Sequence, residues 1–365
     1  MAIETQKNKP KPNSIAIWAI TPNGKILGQK IQSGLKDSVL FISAKIYESD
    51  ALDKNTITFK KLSKEIHQQF NKFSGHIFIF STGIAVRIIA PLLESKIIDP
   101  AVVVADDNGN HAISLISGHL GGANALSKKI ASIINATPVI TTATDTNQLP
   151  AIDMIAKDKG LYIETPQNIK VINMAFLMGK PISLYDPLGF IKDNLPKTCR
   201  PKTYQSSTFE TDTINKDPST KKIICSYEIK NVSRETLILR PPVLSIGIGC
   251  NRGTKCEEIK LFLFMVLKKE GLSINSIYRF STTDIKNNEV GLLTLSKEMN
   301  VQLDFYNKKD LNSVKTIETP SKMVEKHLGV KSVCEAAAIL SADNGKLIVP
   351  KKKNKDVTIA VAIKK

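Results

Sequence analysis

Short apolar runs recur along the chain. Each is closed by a small polar cluster, and strands leading into helices are the simplest reading of that alternation. Residues 15–20 (IAIWAI) form a buried first strand, ended by the turn Pro22-Asn23-Gly24. Short strands and loops follow over 36–59, then an amphipathic helix over 62–73. A second buried strand, 77–80, runs into Ser81-Thr82-Gly83 and a helix that Pro91 stops early. Residues 100–105 are β-branched and end at Asp106-Asp107-Asn108-Gly109, which reads as a type I′ hairpin turn. His111 then lies partly exposed on the returning strand, 112–116. A helix over 126–134 and a strand over 138–140 complete this part.

Beyond residue 151 the pattern weakens. It predicts helices at 151–159 and 168–178, a strand at 181–185, and a polar, poorly ordered loop over 192–222. Arg240-Pro241-Pro242 marks a boundary, and α/β alternation resumes. Strands are expected at 243–248, 277–281, 301–305, 347–349 and 357–362, with the lysine run Lys351-Lys352-Lys353 between the last two. Thr254 with Glu257, and Ser332 with Glu335, have capping-box spacing. Thr319-Pro320-Ser321 reads as another helix start. The fold class is therefore α/β. A disordered tail occupies 1–13, and an N-terminal α/β domain with a mostly parallel sheet covers 14–146. A small central α/β region follows at 147–239, then a separate C-terminal α/β domain at 240–365.

The chain has 365 residues and a formal charge of +17, which would attract nucleic acid, acidic lipid or a polycarboxylate. Aromatic content of 6% and the lack of any recognised signature argue against nucleic acid. No apolar run approaches a membrane span, and the lysine-rich start is not a secretory signal. Five scattered cysteines without a CxxC pair point away from disulfides and zinc and toward a reducing cytoplasm. Cys250 and Cys256 read as small buried hydrophobes. His67, His76 and His327 read as surface residues.

Candidate chemistry collects where strands end in polar turns, because ligands gather at the carboxyl ends of strands in open α/β sheets. The stretch 114–124, SLISGHLGGAN, sets His119 between a strand and the pair Gly121-Gly122. Amides at the following helix start are donors for an oxyanion, and the imidazole can move protons near neutral pH. Ser81-Thr82-Gly83 with Arg87, and Thr141-Thr142 with Asp145, are the other two polar strand ends. Asp145 is equally suited to orient His119, hold substrate or cap a helix. Asp106 and Asp107 read as turn formers. Gly247, Gly249 and Gly253 miss dinucleotide spacing by one residue. No metal-ligand cluster is evident.

Three segments resemble the cobalt-precorrin-5A hydrolase (CbiG) family of anaerobic cobalamin biosynthesis. They are STGIAVRIIAPLLESKIIDPAVVVADDNG, SLISGHLGGANALSKKIA and PVITTATDTNQLPAIDMIA. The C-terminal GIGCNRGT, TTDIKNNEVGLLTL and PSKMVEKHLGVKSVCEAAAIL match the same family in order. The resemblance implies opening of a δ-lactone on a cobalt-bearing contracted tetrapyrrole, followed by loss of acetaldehyde to give cobalt-precorrin-5B. The cobalt then travels with the substrate, and no further cofactor is expected. Neighbouring pathway enzymes are the protein partners it suggests; oligomeric state is left open. Within this frame His119 is the candidate base, Asp145 its partner, and the amides near Gly121 and Gly122 the oxyanion donors. Candidate substrate contacts are Ser81, Thr82, Gly83, Arg87, Ser117, Gly118, Gly121, Gly122, Asn124, Thr141, Thr142, Gly249, Arg252, Gly253 and Lys286. Two other classes stay open: a non-catalytic tetrapyrrole carrier, and a nucleotide-dependent enzyme using the 247–254 turn.

Overall fold

The computed structural model describes residues 14–47, 55–95, 98–147, 149, 151–195, 202–203, 220–321, 325–326 and 328–364. The tail expected at 1–13, Cys199, His327 and most of the 192–222 loop lie outside them. So do residues 322–324, where the helix expected after Pro320 would run. The chain divides into two compact units, residues 1–154 and 155–365.

The first unit is built on a seven-stranded sheet of order β3-β2-β1-β4-β5-β6-β7. Its elements in chain order are β1 (Ile15–Ala19), α1 (Pro22–Gly34), β2 (Ser38–Ser43), β3 (Thr56–Phe59), α2 (Leu62–Gln69), β4 (Gly75–Ile79), α3 (Thr82–Ile89), β5 (Ala101–Ala105), β6 (His111–Ile116), α4 (Ala123–Ile134), β7 (Thr137–Val139) and α5 (Ala143–Thr146). α6 (Ile152–Asp158) begins before the unit boundary and ends after it. β1 through β5 are parallel. β6 is antiparallel to β5, and β7 follows β6 in parallel. One face packs Ile17, Leu40, Ile77 and Val103 with Ile31 of α1 and Ile130 of α4. The other packs Trp18, Phe41, Phe78 and Val104 with Ile66 of α2 and Ile89 of α3. Coverage on both faces explains the continuous apolar runs in the central strands.

Pro22-Asn23-Gly24 is not a free turn; it opens α1. Thr21 is the N-cap, its hydroxyl accepting from the Gly24 amide at 3.0 Å, and Pro22 takes the first helical position. The buried face of α1 is Gly24, Gly28 and Ile31, so the apolar stripe that would announce a helix is largely glycine. A Cβ on Gly28 would sit 2.8 Å from Leu40 Cδ1, which shows how closely α1 lies on the sheet. The hairpin between β5 and β6 forms, but its turn is not type I′. Gly109 alone adopts positive φ (71°), whereas type I′ needs it at both central residues. Asp106 closes the turn by accepting from the Asn108 and His111 amides at 3.1 and 2.6 Å. His111 is exposed on β6, as expected.

His76 is not a surface residue. Its ring is fully buried among Trp18, Phe70, Phe73 and Phe78. Nδ1 accepts from Trp18 Nε1 at 3.1 Å, so Nε2 carries the proton and donates to the Phe70 carbonyl at 3.0 Å. Burial lowers its pKa from 6.5 to about 4 against the smaller opposing effect of the Phe70 bond. The unfolded chain therefore binds this proton more readily than the folded one. Stability from the neutral ring is complete above 6.5 and is lost as pH falls toward 4, by about 3 kcal/mol in all. Urea unfolding over that pH range should show the wild type losing this amount relative to His76→Phe, whose ring cannot titrate. Parallel curves for the two proteins would contradict the assignment.

The second unit contains two five-stranded sheets, ordered β10-β9-β11-β12-β8 and β15-β14-β13-β17-β16. The first uses β8 (Tyr162–Ile163), α7 (Ile169–Leu177), β9 (Ile182–Tyr185), β10 (Lys202–Thr203), β11 (Lys221–Cys225) and β12 (Leu237–Arg240). β11 and β12 are strands that periodicity does not reveal. The second uses β13 (Leu244–Cys250), α8 (Cys256–Lys269), β14 (Ile277–Thr283), α9 (Val290–Met299), β15 (Leu303–Tyr306), α10 (Lys308–Ser313), α11 (Val333–Ser341), β16 (Lys346–Lys353) and β17 (Val357–Ile363). Backbone bonds from Ile229 N to Gly271 O (2.7 Å) and from Ser273 N to Tyr227 O (2.8 Å) connect the two sheets' neighbourhoods.

Neither capping box forms. α8 starts at Cys256 with Lys255 as N-cap, and the Thr254 hydroxyl donates instead to the Asn251 carbonyl at 2.8 Å. Ser332 is the N-cap of α11 but makes no side-chain cap. Glu335 is buried and accepts from the amides of Glu318, Thr319 and Lys351 and from the Thr319 hydroxyl. Burial opposes its charge, and these donors outweigh it, holding the carboxyl below its ordinary range. Glu335 is thus structural, as expected, though as a staple between segments. The lysine run lies within β16, not between strands.

Candidate active site

β6 ends at Ile116, and Ser117 takes φ of 59°, a left-handed conformation uncommon outside glycine. This reverses the chain sharply into Gly118-His119-Leu120-Gly121-Gly122 before α4. A Cβ on Gly121 would collide with Ser117 Cβ, and one on Gly118 would lie 2.7 Å from Asn124 Oδ1. Glycine at both positions is therefore a steric requirement of the turn. Gly122, with φ of 92°, is the N-cap of α4.

Asn124, in the first turn of α4, is buried and organises the site. Its Oδ1 accepts from Ser114 Oγ at 2.6 Å. Its Nδ2 donates to Thr142 Oγ1 at 2.8 Å and to Asp145 Oδ2 at 2.9 Å. The Thr142 hydroxyl in turn donates to Asp145 Oδ2 at 3.0 Å. β7 delivers Thr142 and Asp145 because it runs parallel to β6, so both strands end at the same edge. Asp145 Oδ2 thus accepts from side chains across the site.

His119 meets this network through Nε2, which lies 3.0 Å from Asp145 Oδ2 and 3.0 Å from Thr144 Oγ1. Its Nδ1 faces Asp153 Oδ2 at 3.6 Å. The His119 side chain is 19% exposed, Asp145 30% and Asp153 6%. Asp153 and Thr144 are members that sequence reasoning missed. Asp153 sits in the first turn of α6, where a carboxylate ordinarily reads as complementing the helix dipole. Such a site can transfer protons: one imidazole, two carboxylates and a hydroxyl within hydrogen-bonding or ion-pair reach.

The structure does not bring all the expected residues together. Ser81, Thr82, Gly83 and Arg87 follow β4, which is parallel to β5, whereas β6 runs the other way. Ile79 is level with Ala105 and Ala112, while Ile116 is level with Val102. The 81–87 turn is therefore at the opposite edge of the sheet from His119. There Arg87 is exposed, with a long contact of 3.4 Å to the Gly83 carbonyl. Ser117 does not offer its hydroxyl outward: Oγ is buried without a partner among the described residues. The oxyanion expectation also needs correction. The Gly122 amide donates to the His119 carbonyl at 2.9 Å, and the Ala123 and Asn124 amides to Ser117 and Gly118 carbonyls at 3.1 and 3.0 Å. The turn itself thus uses the Gly122 amide and the first two amides of α4.

The C-terminal candidates belong to the second unit. A Cβ on Gly249 would lie 2.5 Å from Thr358 Oγ1, so this glycine admits a neighbouring side chain. Glu289 is buried and accepts from the Gly253 amide at 2.6 Å and from Lys286 Nζ at 3.1 Å. Lys286, only 16% exposed, is thereby committed to an internal ion pair, and does not stand ready for a substrate carboxylate. Arg252 is exposed and Gly253 takes φ of 79°. Cys256 is buried and Cys250 half-buried, with burial raising both thiols, Cys250 against the Lys286 charge. No group of three or more His, Cys, Asp or Glu among the described residues is arranged to hold a metal ion.

Comparison with known proteins now bears on the whole chain. Family models described as Cobalamin synthesis G N-terminal, Cobalamin biosynthesis central region and Cobalamin synthesis G C-terminus match residues 64–145, 150–241 and 244–362. A cobalt-precorrin-5A hydrolase from Priestia megaterium is 31% identical over 99% of this chain and 99% of its own. The chain belongs to the CbiG family. A second CbiG relative, the cobalt-precorrin-5A hydrolase of Salmonella typhimurium, is 30% identical over 98% of this chain and 99% of its own. A solved structure of a cobalamin biosynthesis protein G homolog from Sulfolobus solfataricus is 25% identical and covers 97% of this chain and 98% of its own, at a TM-score of 0.37. The CbiG N-terminal match holds β6, the glycine turn, His119 and Asp145, and the central match begins just before Asp153. No helix among the described residues is long and apolar enough to cross a membrane.

Proposed function

We propose that this CbiG member is a cobalt-precorrin-5A hydrolase. It opens the δ-lactone of its cobalt-bearing tetrapyrrole substrate and releases acetaldehyde, leaving cobalt-precorrin-5B. The observation that carries the reading is the nearly end-to-end identity with two curated hydrolases of that name. The first unit supplies groups suited to the chemistry. Water must lose a proton as it adds to the lactone carbonyl, and the departing alkoxide must gain one. Cleavage of the carbon–carbon bond then takes the proton of the freed alcohol as the aldehyde forms, and the bonding pair stays on the macrocycle carbon, which takes up a proton in its place. One imidazole beside Asp145 and Thr144 can serve each of these transfers in turn. Cobalt enters with the substrate, and the protein works without a cofactor of its own, in the cytoplasm. The chain's net charge of +17 favours a pigment rimmed with carboxylates.

The test is anaerobic incubation of the protein with cobalt-precorrin-5A while trapping any aldehyde formed. Acetaldehyde should appear far faster than in an enzyme-free control. Equal rates with and without protein would replace the hydrolase by a tetrapyrrole carrier.

A further inference from the structure

The two nitrogens of His119 are not provided for in the same way. Around Nε2 there is a partner for either protonation state. When it bears hydrogen, Asp145 Oδ2 accepts at 3.0 Å; when it is bare, the Thr144 hydroxyl can donate across 3.0 Å. Asp145 does not depend on that hydrogen, because Asn124 Nδ2 and the Thr142 hydroxyl already donate to the same oxygen. Nδ1 faces a carboxylate oxygen of Asp153 at 3.6 Å, and that side chain is 6% exposed. Either nitrogen, if bare, would set its lone pair against a carboxylate. At Nε2 the Thr144 hydroxyl can donate instead and the Asp145 oxygen already has two donors, so the bare nitrogen is better accommodated there than at Nδ1. A hydrogen on Nδ1 turns the same contact into an attraction that a small ring rotation shortens.

We propose that Asp153 is the positioning residue of this site: it keeps Nδ1 protonated and leaves Nε2, beside Thr144 and Asp145, as the nitrogen that exchanges protons during the reaction. This reassigns the orienting role from Asp145, which becomes a neighbour of the working nitrogen. It rests on the hydrolase reading only for the identity of the reaction; the ring's tautomer is a property of the free protein. The logic is that of a catalytic triad, in which a buried carboxylate selects the tautomer and the far nitrogen does the chemistry.

Ring-15N histidine spectra of the full-length protein test this without substrate. The chain has five histidines, so His119→Ala assigns the signal by its disappearance. The wild type should show a protonated Nδ1 for His119, and Asp145→Asn should keep it. In Asp153→Asn the amide donates to Nδ1, so the hydrogen should move to Nε2, with kcat lowered on the order of 10³-fold and KM little changed. A bare Nδ1 in the wild type overturns the proposal. So does a protonated Nδ1 in folded Asp153→Asn, or one lost in Asp145→Asn. Should Asp153→Asn fail to fold, the wild-type and Asp145→Asn spectra still decide. Absence of aldehyde in the wild-type assay, with these spectra as expected, would sink the hydrolase reading and leave the Asp153 assignment standing.

Discussion

Replacing His119 by alanine is expected to slow acetaldehyde release from cobalt-precorrin-5A by about 10²–10⁴-fold while binding of the tetrapyrrole persists. The ring can accept and return a proton through the same atom, Nε2, with Asp145 and Thr144 set to receive either form. Its loss should not dismantle the surroundings. Asn124 still joins Ser114, Thr142 and Asp145, and the turn keeps its backbone bonds at 117–124. The measurement is single-turnover aldehyde release together with substrate binding followed by the pigment's absorbance. Turnover within a few-fold of wild type would remove His119 from the chemistry; loss of binding would make it a substrate contact.

The second large effect concerns stability. Arg240→Ala should destabilise the second unit by about 1–3 kcal/mol, because it strips the donors from two carbonyls and from Glu164, whose own side chain is 32% exposed. Arg240 is 2% exposed and grips Glu164 with two bonds, Nε to Oε2 at 2.6 Å and Nη2 to Oε1 at 3.0 Å. Nη1 donates to the carbonyls of Ser226 and Glu228 at 2.9 and 2.6 Å. One guanidinium thus ties β12, the end of β8 and the segment after β11. Burial works against the charge on Glu164, but the arginine outweighs it and holds that carboxyl below its ordinary range. Denaturant unfolding measures the loss, and alkylation of the buried Cys225 on β11, read by mass spectrometry, localises it. An unchanged midpoint with Cys225 still protected would contradict the account. The double replacement Arg240→Met with Glu164→Leu should recover much of the stability, since neither charge is then stranded.

Much of this architecture is legible in the sequence. The apolar runs at 15–20, 77–80 and 101–105 mark the centre of the first sheet, and the glycine turn around His119 points to its chemistry. What escapes has physical causes. α1 hides because its buried face is made of Gly24 and Gly28, so close packing replaces the hydrophobic stripe. β11 and β12 are five and four residues long, too short for a periodicity to show. Asp153 resembles an ordinary helix-opening acid until β6, β7 and α6 are seen together. The rule of strand ends groups Ser81–Arg87 with His119, although the hairpin at 106–110 reverses the next strand. Arg240 reads as a boundary beside two prolines; only its burial reveals a clamp.

The reversal of β6 has a further consequence. The sheet has two chemically equipped rims, and its hydrocarbon interior, from Ile77 to Val103, stands between them. Substitutions in the turn at 81–87 therefore have no direct contact through which to disturb the imidazole's proton chemistry.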